Sequence, residues 1–109
     1  MPMRDILDLT GASGQVYRFQ LCRESEQLMP VGGNFVLVRD GIDGPRVVYS
    51  GESNDLRDGS ATKWRQAQDE VGPTWLYTRL NVSERTRQLE KADVEAAYTP
   101  PMNDPTAAH

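Results

Sequence analysis

Alternation of apolar and polar side chains is the clearest signal along the chain. Residues 15–21 alternate in this way, and residues 34–39 and 46–50 are rich in β-branched and aromatic side chains. Between these two runs lies Asp-Gly-Ile-Asp-Gly-Pro, whose Asp-Gly pairs and proline are typical of turns. The pattern therefore predicts one strand over residues 15–21 and a β-hairpin over residues 34–50.

The predicted hairpin brings two aromatic side chains together. Antiparallel pairing across its loop sets Arg39 roughly opposite Arg46. In that register Phe35 lies near Tyr49 and Ser50, at the open end of the hairpin. We expect the two rings to converge where the chain next turns.

The second half of the chain predicts a helix, a strand and a second helix. Apolar side chains recur at helical spacing within residues 54–71, which end at a Gly-Pro pair. Residues 75–82 alternate as a strand. Ser83 then suits the N-cap of a helix from Glu84 to about Tyr98, which Thr-Pro-Pro ends.

The two ends of the chain carry weaker patterns. Apolar side chains among aspartates, ahead of a Gly-bounded break, predict a short turn or helical segment in residues 1–12. The Asn/Asp/Pro/Ala-rich residues 104–109 are expected to be a disordered tail. We therefore expect a single domain over residues 1–103 with an α+β fold, in which a small antiparallel sheet is flanked by two main helices.

Length and composition restrict the classes of protein to consider. A chain of 109 residues has room for one modest core, and no run approaches the roughly 18 apolar residues of a membrane span. The start of the chain lacks the pattern of a signal peptide, so we expect a cytoplasmic protein with no membrane partner. A single cysteine, Cys22, and a single histidine, His109, exclude an intrachain disulfide and a Cys/His zinc site.

The distribution of charge matters more than its total. A net charge of −4 argues at first against a nucleic-acid binder. The net charge is −2 over residues 1–45, +1 over residues 46–91 and −3 over residues 92–109. A basic surface can therefore form only in the middle of the chain, and any affinity for DNA is expected to be weak and salt-sensitive.

Short motifs follow one another in a fixed order between residues 31 and 103. Gly33-Asn34-Phe35 opens the hairpin, and Tyr49-Ser50-Gly51 ends it, shortly before Asp55-Leu56. A later helix carries Glu90, and Pro100-Pro101-Met102-Asn103 follows that helix. In order and spacing this set resembles the GIY-YIG superfamily, whose usual pattern is Gly-x-Tyr, Tyr-x-Gly, Thr-x-Asp-Leu, a Glu-bearing helix and Pro-Pro-Leu-Asn.

The resemblance implies a GIY-YIG-like fold and divalent-metal-dependent hydrolysis of DNA phosphodiester bonds. Tyr49 matches a catalytic tyrosine, and Glu90 matches the glutamate that holds Mg²⁺ or Mn²⁺. Arg57 is the expected catalytic arginine. These residue types suit the chemistry, because a hard cation needs carboxylate oxygens and a developing phosphate charge needs a guanidinium.

The resemblance also implies a set of substrate-binding positions, and it has two departures. The first family tyrosine is Phe35, which lacks the hydroxyl, and Gly59 occupies the position where the family has its arginine. Arg57, Lys63 or Arg65 would then have to replace that arginine. The expected substrate-binding residues are Phe35, Gly51, Lys63, Arg65 and Asn103.

Each candidate residue also has a purely structural interpretation. Tyr49 can be a packed aromatic, and Glu90, on one helical stripe with apolar residues, can form an ion pair with Arg87. The basic residues near Tyr49 can be solvated helix charges. The alternative function is therefore a catalytically inactive GIY-YIG-like module that binds nucleic acid or a protein partner, and a protein partner could also supply targeting to an active enzyme.

Overall fold

The computed structural model describes residues 4–24 and 28–103, which form one antiparallel sheet and two main helices. The expected disordered tail lies outside these residues. In chain order the elements are β1 (Ile6–Thr10), β2 (Val16–Cys22), β3 (Gly33–Gly41), β4 (Gly44–Ser53), α1 (Leu56–Val71), β5 (Trp75–Leu80), α2 (Glu84–Tyr98) and a short 3₁₀ helix (Pro101–Asn103). The strands lie in the order β1-β2-β5-β3-β4, and every pairing is antiparallel. The predicted α+β class is confirmed.

The helices agree closely with the sequence pattern. The predicted second helix is α2, and its N-cap Ser83 accepts a hydrogen bond from the backbone N–H of Thr86. The N-cap of α1 is Asp55, whose side chain accepts from the N–H groups of Arg57 and Asp58. Among the described residues no helix has the length and apolar character needed to span a membrane.

The prediction of a turn or helical segment near the N-terminus is wrong. This stretch contains strand β1, which pairs with β2. Aspartate is uncommon in strands, which hides the alternation, but Asp8 lies directly opposite Arg18, and the two side chains form an exposed ion pair at 2.9 Å. The alternate residues Leu7 and Leu9 pack toward the core.

The predicted hairpin is confirmed, with one irregularity. Arg39 pairs with Arg46 as expected, but the register shifts between Leu37 and Val38. This β-bulge leaves Val48 as the extra residue of β4, so Phe35 pairs with Gly51 and not with Ser50. Such a shift turns adjacent residues of β4 toward the same side of the sheet.

The sheet is covered by a helix on each face, which creates two hydrophobic clusters. We call the two sides the α1 face and the α2 face. The buried residues of the α1 face are Cys22, Leu28, Phe35, Leu37, Val48, Leu56, Ala67, Leu76 and Met102. Those of the α2 face are Leu9, Tyr17, Phe19, Val36, Val38, Val47, Tyr77 and Val94.

Helix α2 connects the two edge strands of the curled sheet. It packs against β4 and also against β1 at the other edge. Near its C-terminal end the Tyr98 hydroxyl accepts a hydrogen bond from the backbone N–H of Thr10 at 3.1 Å. Just beyond it, the Asn103 side chain bonds both backbone groups of Ser50 on β4. Tyr98 and Asn103 thus bond backbone groups on both edge strands, which opposes edge-to-edge association of the sheet.

Candidate functional site

Tyr49 lies on the α1 face, where its ring is packed between another ring and a cation. The centroids of the Phe35 and Tyr49 rings are 5.8 Å apart, with 38° between the ring planes. The ammonium group of Lys63, from α1, lies 5.1 Å from the centroid of the Tyr49 ring. This distance is typical of a cation–π contact. The predicted convergence of Phe35 and Tyr49 is confirmed.

Gly51 has no side chain, and this leaves room for the rings of Phe35 and Tyr49. A Cβ at this position would lie 2.6 Å from Cζ of Phe35 and 2.7 Å from Cε2 of Tyr49. Phe35 itself is only 2% exposed, so it supports Tyr49 and does not face solvent. Gly51 therefore acts on this site by making room for the ring pair.

The Tyr49 hydroxyl remains protonated at neutral pH. Burial raises the pKa of Tyr49, Lys91 of α2 lowers this pKa, and the carboxylates of Glu95 and Glu52 raise it. With its pKa above the ordinary value of 10.0, the hydroxyl can donate a hydrogen bond to an anion. It makes no hydrogen bond to any residue in the described ranges.

Glu90 lies on the α2 face, on the other side of the sheet from Tyr49. Its carboxylate accepts a hydrogen bond from Nε of Arg79 at 2.9 Å, and its side chain is 12% exposed. The Arg79 guanidinium in turn lies 5.7 Å from the centroid of the Tyr17 ring. The sequence indicated that Glu90 faces the sheet, and it does, but its ion-pair partner is Arg79 and not Arg87.

Arg87 belongs to a separate buried network at the start of α2. It is 4% exposed, and its Nε donates to Oε2 of Glu52 at 2.9 Å. Its Nη1 donates to the carbonyl oxygens of Asn81 and Val82. The buried side-chain amide of Asn34 donates to the carbonyl of Arg87 itself. This network joins α2 to strands β3 and β4 and has the character of a structural ion pair.

The described residues do not fit a divalent cation at Glu90. The guanidinium of Arg79 already occupies an oxygen of its carboxylate. Within residues 4–24 and 28–103, no group of three or more His, Cys, Asp or Glu side chains is arranged to hold a metal ion. Mg²⁺ and Mn²⁺ typically take several oxygen ligands. The metal therefore stays a prediction from the resemblance.

Gly59, where the resemblance would place an arginine, lies at a close contact between α1 and β4. A Cβ there would lie 2.3 Å from Oγ of Ser53 and 2.5 Å from its Cβ, so the first turn of α1 packs directly against the end of β4. No side chain fits at this contact without a shift. Of the proposed replacements, Lys63 is the one at Tyr49.

The other two basic candidates point elsewhere. Nε of Arg57 donates to the carbonyl of Leu28 at 3.3 Å. Arg65 lines an open groove beside Trp64 that also includes Arg23 and Asp69. The structure thus brings Phe35, Tyr49, Gly51 and Lys63 together, whereas Arg57 and Glu90 bond other groups and Arg65 lines the groove beside Trp64.

Asn103 lies at the β4 edge and has a structural role. Its Oδ1 accepts from the N–H of Ser50 at 2.8 Å, and its Nδ2 donates to the Ser50 carbonyl at 2.9 Å. Nδ2 also donates to Glu95 at 3.0 Å. The amide therefore bonds β4 as a short piece of neighbouring strand would.

Two residues near Tyr49 were not singled out from the sequence. Lys91 and Glu95 form an i,i+4 ion pair on α2, and both act on the Tyr49 hydroxyl. The charge pattern at this spacing was visible in the sequence. The site of Tyr49 was not visible there, because the bulge in β4 sets which side chains meet at this edge.

The chain matches no protein-family model, no curated protein and no solved structure. The likeness to the GIY-YIG superfamily is therefore carried by the order and spacing of the motifs alone.

Proposed function

We propose that this domain is a GIY-YIG-like module that binds the phosphate backbone of nucleic acid without hydrolysing it. One observation carries the proposal. Tyr49 and Glu90, the two residues that hydrolysis needs in one site, lie on opposite faces of the sheet, and Arg79 pairs with Glu90. The groups that remain at this site are the Lys63 ammonium and the Tyr49 hydroxyl, and both suit contact with a phosphate.

The chemistry around Tyr49 favours an anionic ligand. Lys63 supplies an ammonium group over the ring, and the protonated hydroxyl of Tyr49 supplies a further donor. Lysine binds phosphate as a compact point charge, and phosphate contacts position a nucleic acid without reading its sequence. Since residues 46–91 carry the positive balance of the chain, we expect weak binding of low sequence specificity.

Metal-dependent endonuclease activity is the second candidate, and a specific observation favours it. The carboxylates of Glu52 and Glu95 raise the pKa of the Tyr49 hydroxyl, although Glu52 is paired with Arg87 and Glu95 with Lys91. A hydrolase at Tyr49 would have to release one of these carboxylates from its ion pair, and it would not use Glu90. The variant Glu95→Gln therefore distinguishes this candidate from a site at Glu90.

Fluorescence anisotropy with a short labelled DNA at low salt tests the main proposal. We expect Lys63→Gln to weaken binding and to reduce the slope of log K against log salt by about 1. Tyr49→Phe removes one hydrogen bond of about 0.5–1.5 kcal/mol and should weaken binding by roughly 2-fold to 10-fold. Arg85→Gln, which removes an exposed charge from the start of α2, is the control for net charge and should change the affinity least.

Two results would contradict the proposal. If the unchanged domain binds no DNA or RNA at low salt, a protein partner becomes the better hypothesis. If supercoiled plasmid is cleaved with Mg²⁺ or Mn²⁺ and Glu95→Gln or Glu90→Gln abolishes cleavage, the domain is a nuclease.

A further inference from the structure

Two arginines face each other across the β3–β4 hairpin. Arg39 pairs directly with Arg46, one residue pair before the turn-flanking residues Asp40 and Pro45. Both arginines are exposed. Because the neighbouring pair, Val38 and Val47, faces α2, the arginine pair belongs to the α1 face, on the same side as Tyr49.

This arrangement is unfavourable for the isolated domain. Like charges directly opposite each other in an antiparallel pair destabilise the sheet. Neither Arg39 nor Arg46 forms an ion pair within 4.0 Å with a described carboxylate. No direct ion pair with a described carboxylate therefore offsets the repulsion, and an anion bound between the two guanidinium groups would.

The arginine pair and the Tyr49 site lie along one strand. Arg46 pairs with Arg39 and Tyr49 pairs with Leu37, so the bulge at Val48 leaves them two pair positions apart, which at about 3.3 Å per residue is roughly 7 Å. One strand of duplex DNA carries a phosphate about every 3.4 Å along the helix axis, so this separation corresponds to about two phosphates. A polyanion running along β4 can contact both points at once.

We infer that Arg39 and Arg46 form a second phosphate-binding point, so that one nucleic-acid strand lies along β4 from the hairpin turn to Tyr49. The inference rests on the proposed function and adds the direction and the extent of the contact. It also explains why two arginines occupy facing positions on an exposed strand pair. Arginine suits this role, because its guanidinium group can donate two parallel hydrogen bonds to one phosphate.

The salt dependence of DNA binding tests this inference. We expect Arg39→Gln and Arg46→Gln each to reduce the slope of log K against log salt by about 1, and the double variant to reduce it by about 2. Arg85→Gln removes the same charge from the start of α2 and should leave the slope nearly unchanged. Because like-charge repulsion is removed, the double variant should unfold at the same urea concentration as the unchanged domain or at a higher one.

The outcomes separate this inference from the proposed function. If the unchanged domain binds and Lys63→Gln weakens binding, but the arginine variants behave like Arg85→Gln, the second contact point is wrong and the Tyr49 site stands. If the unchanged domain binds no nucleic acid, both fall together. A double variant that is clearly less stable would show that the arginines are structural, and it would overturn the inference as well.

Discussion

At the scale of single residues, two glycines determine how closely the elements around Tyr49 approach each other. Gly51 leaves room for the Phe35 and Tyr49 rings, and Gly59 lets the first turn of α1 contact Ser53. An arginine at position 59 would need a wider gap between α1 and β4. Glycine at this position is therefore coupled to the close packing of α1 on β4.

The contact at Gly59 predicts a change of sign between two genetic backgrounds. Gly59→Ala should destabilise the domain by about 1–3 kcal/mol, because its new Cβ overpacks against Ser53. In a Ser53→Gly background the same substitution should stabilise by about 0.5–1 kcal/mol, the ordinary gain for Gly→Ala within a helix. Urea unfolding of the four proteins measures both values.

Ser53→Gly carries its own cost, since its hydroxyl bonds the backbone of Asp55. The double-mutant cycle removes this cost from the comparison. Equal effects of Gly59→Ala in the two backgrounds would show that the close contact does not constrain α1.

At the scale of elements, α2 and the 3₁₀ helix after it hold the curled sheet together. The middle of α2 contacts the β1–β2 turn, where Asp93 accepts from the hydroxyls of Ser13 and Tyr17. Further along, Tyr98 and Asn103 bond the backbone of the two edge strands. Residues of α2 and of the 3₁₀ helix thus bond backbone groups on both edge strands, β1 and β4.

Asn103 provides a direct test of this edge protection. Asn103→Ala leaves the N–H and the carbonyl of the buried Ser50 without these partners, which should cost about 1–3 kcal/mol. The variant should also associate more readily through the uncovered β4 edge. Urea unfolding and light scattering measure the two effects, with the exposed Asn54→Ala as the control. Equal behaviour of the two variants would contradict the assigned role.

The Asp93 contact predicts a dependence of stability on pH. Hydrogen bonds from Ser13 and Tyr17 lower the pKa of Asp93 below 3.8. Its contribution to stability is therefore present above pH 3.8 and is lost as the pH falls through the lower, folded value. We expect Asp93→Asn to reduce the loss of stability on acidification, measured by urea unfolding at several pH values. Asp69→Asn, at an exposed position of α1, should keep the full loss, and the same loss in both variants would contradict the prediction.

The stabilisation from the hydrogen bond between Tyr17 and Asp93 is also lost at high pH. Burial and the hydrogen bond to Asp93 raise the pKa of Tyr17 from 10.0 to about 12. This contribution is present below pH 10 and is lost as the pH rises through about 12. The stabilising effect of the contact therefore spans the neutral range.

Most elements were predictable from the sequence, because their local signals agree with the final packing. Ser83 and the residues after it carry a complete helix pattern, and α2 begins and ends as predicted. Strand β1 was missed because Asp8 opposes strand formation locally, and its compensating partner, Arg18, lies in another strand. The bulge at Val48 has no local signal in the sequence.

At the scale of the whole molecule, the candidate site was predictable only in part. The predicted hairpin register placed Phe35 near Tyr49, although the bulge is what turns both rings to one face, and helical spacing turned Glu90 toward the sheet. Neither pattern determines which face of the sheet each helix covers. Helices α1 and α2 pack on opposite faces of the sheet. Tyr49 and Glu90 therefore do not share a site, although their motifs follow the expected order in the sequence.

The separation of Tyr49 from Glu90 also changes how the charge of the molecule is interpreted. The basic residues on the α1 face, Lys63 among them, can contact a polyanion while Glu90 stays paired with Arg79. The net charge of −4 then limits affinity and does not exclude binding. Binding without turnover is the central claim.

Anisotropy of a short labelled DNA, followed over time at low salt with Mg²⁺ present, tests this claim most directly. The claim predicts that anisotropy rises with the concentration of the domain, stays constant for hours, falls on addition of salt, and rises less with Lys63→Gln. Anisotropy that never rises, or that rises and then decays unless Glu95 or Glu90 is replaced by glutamine, would contradict it.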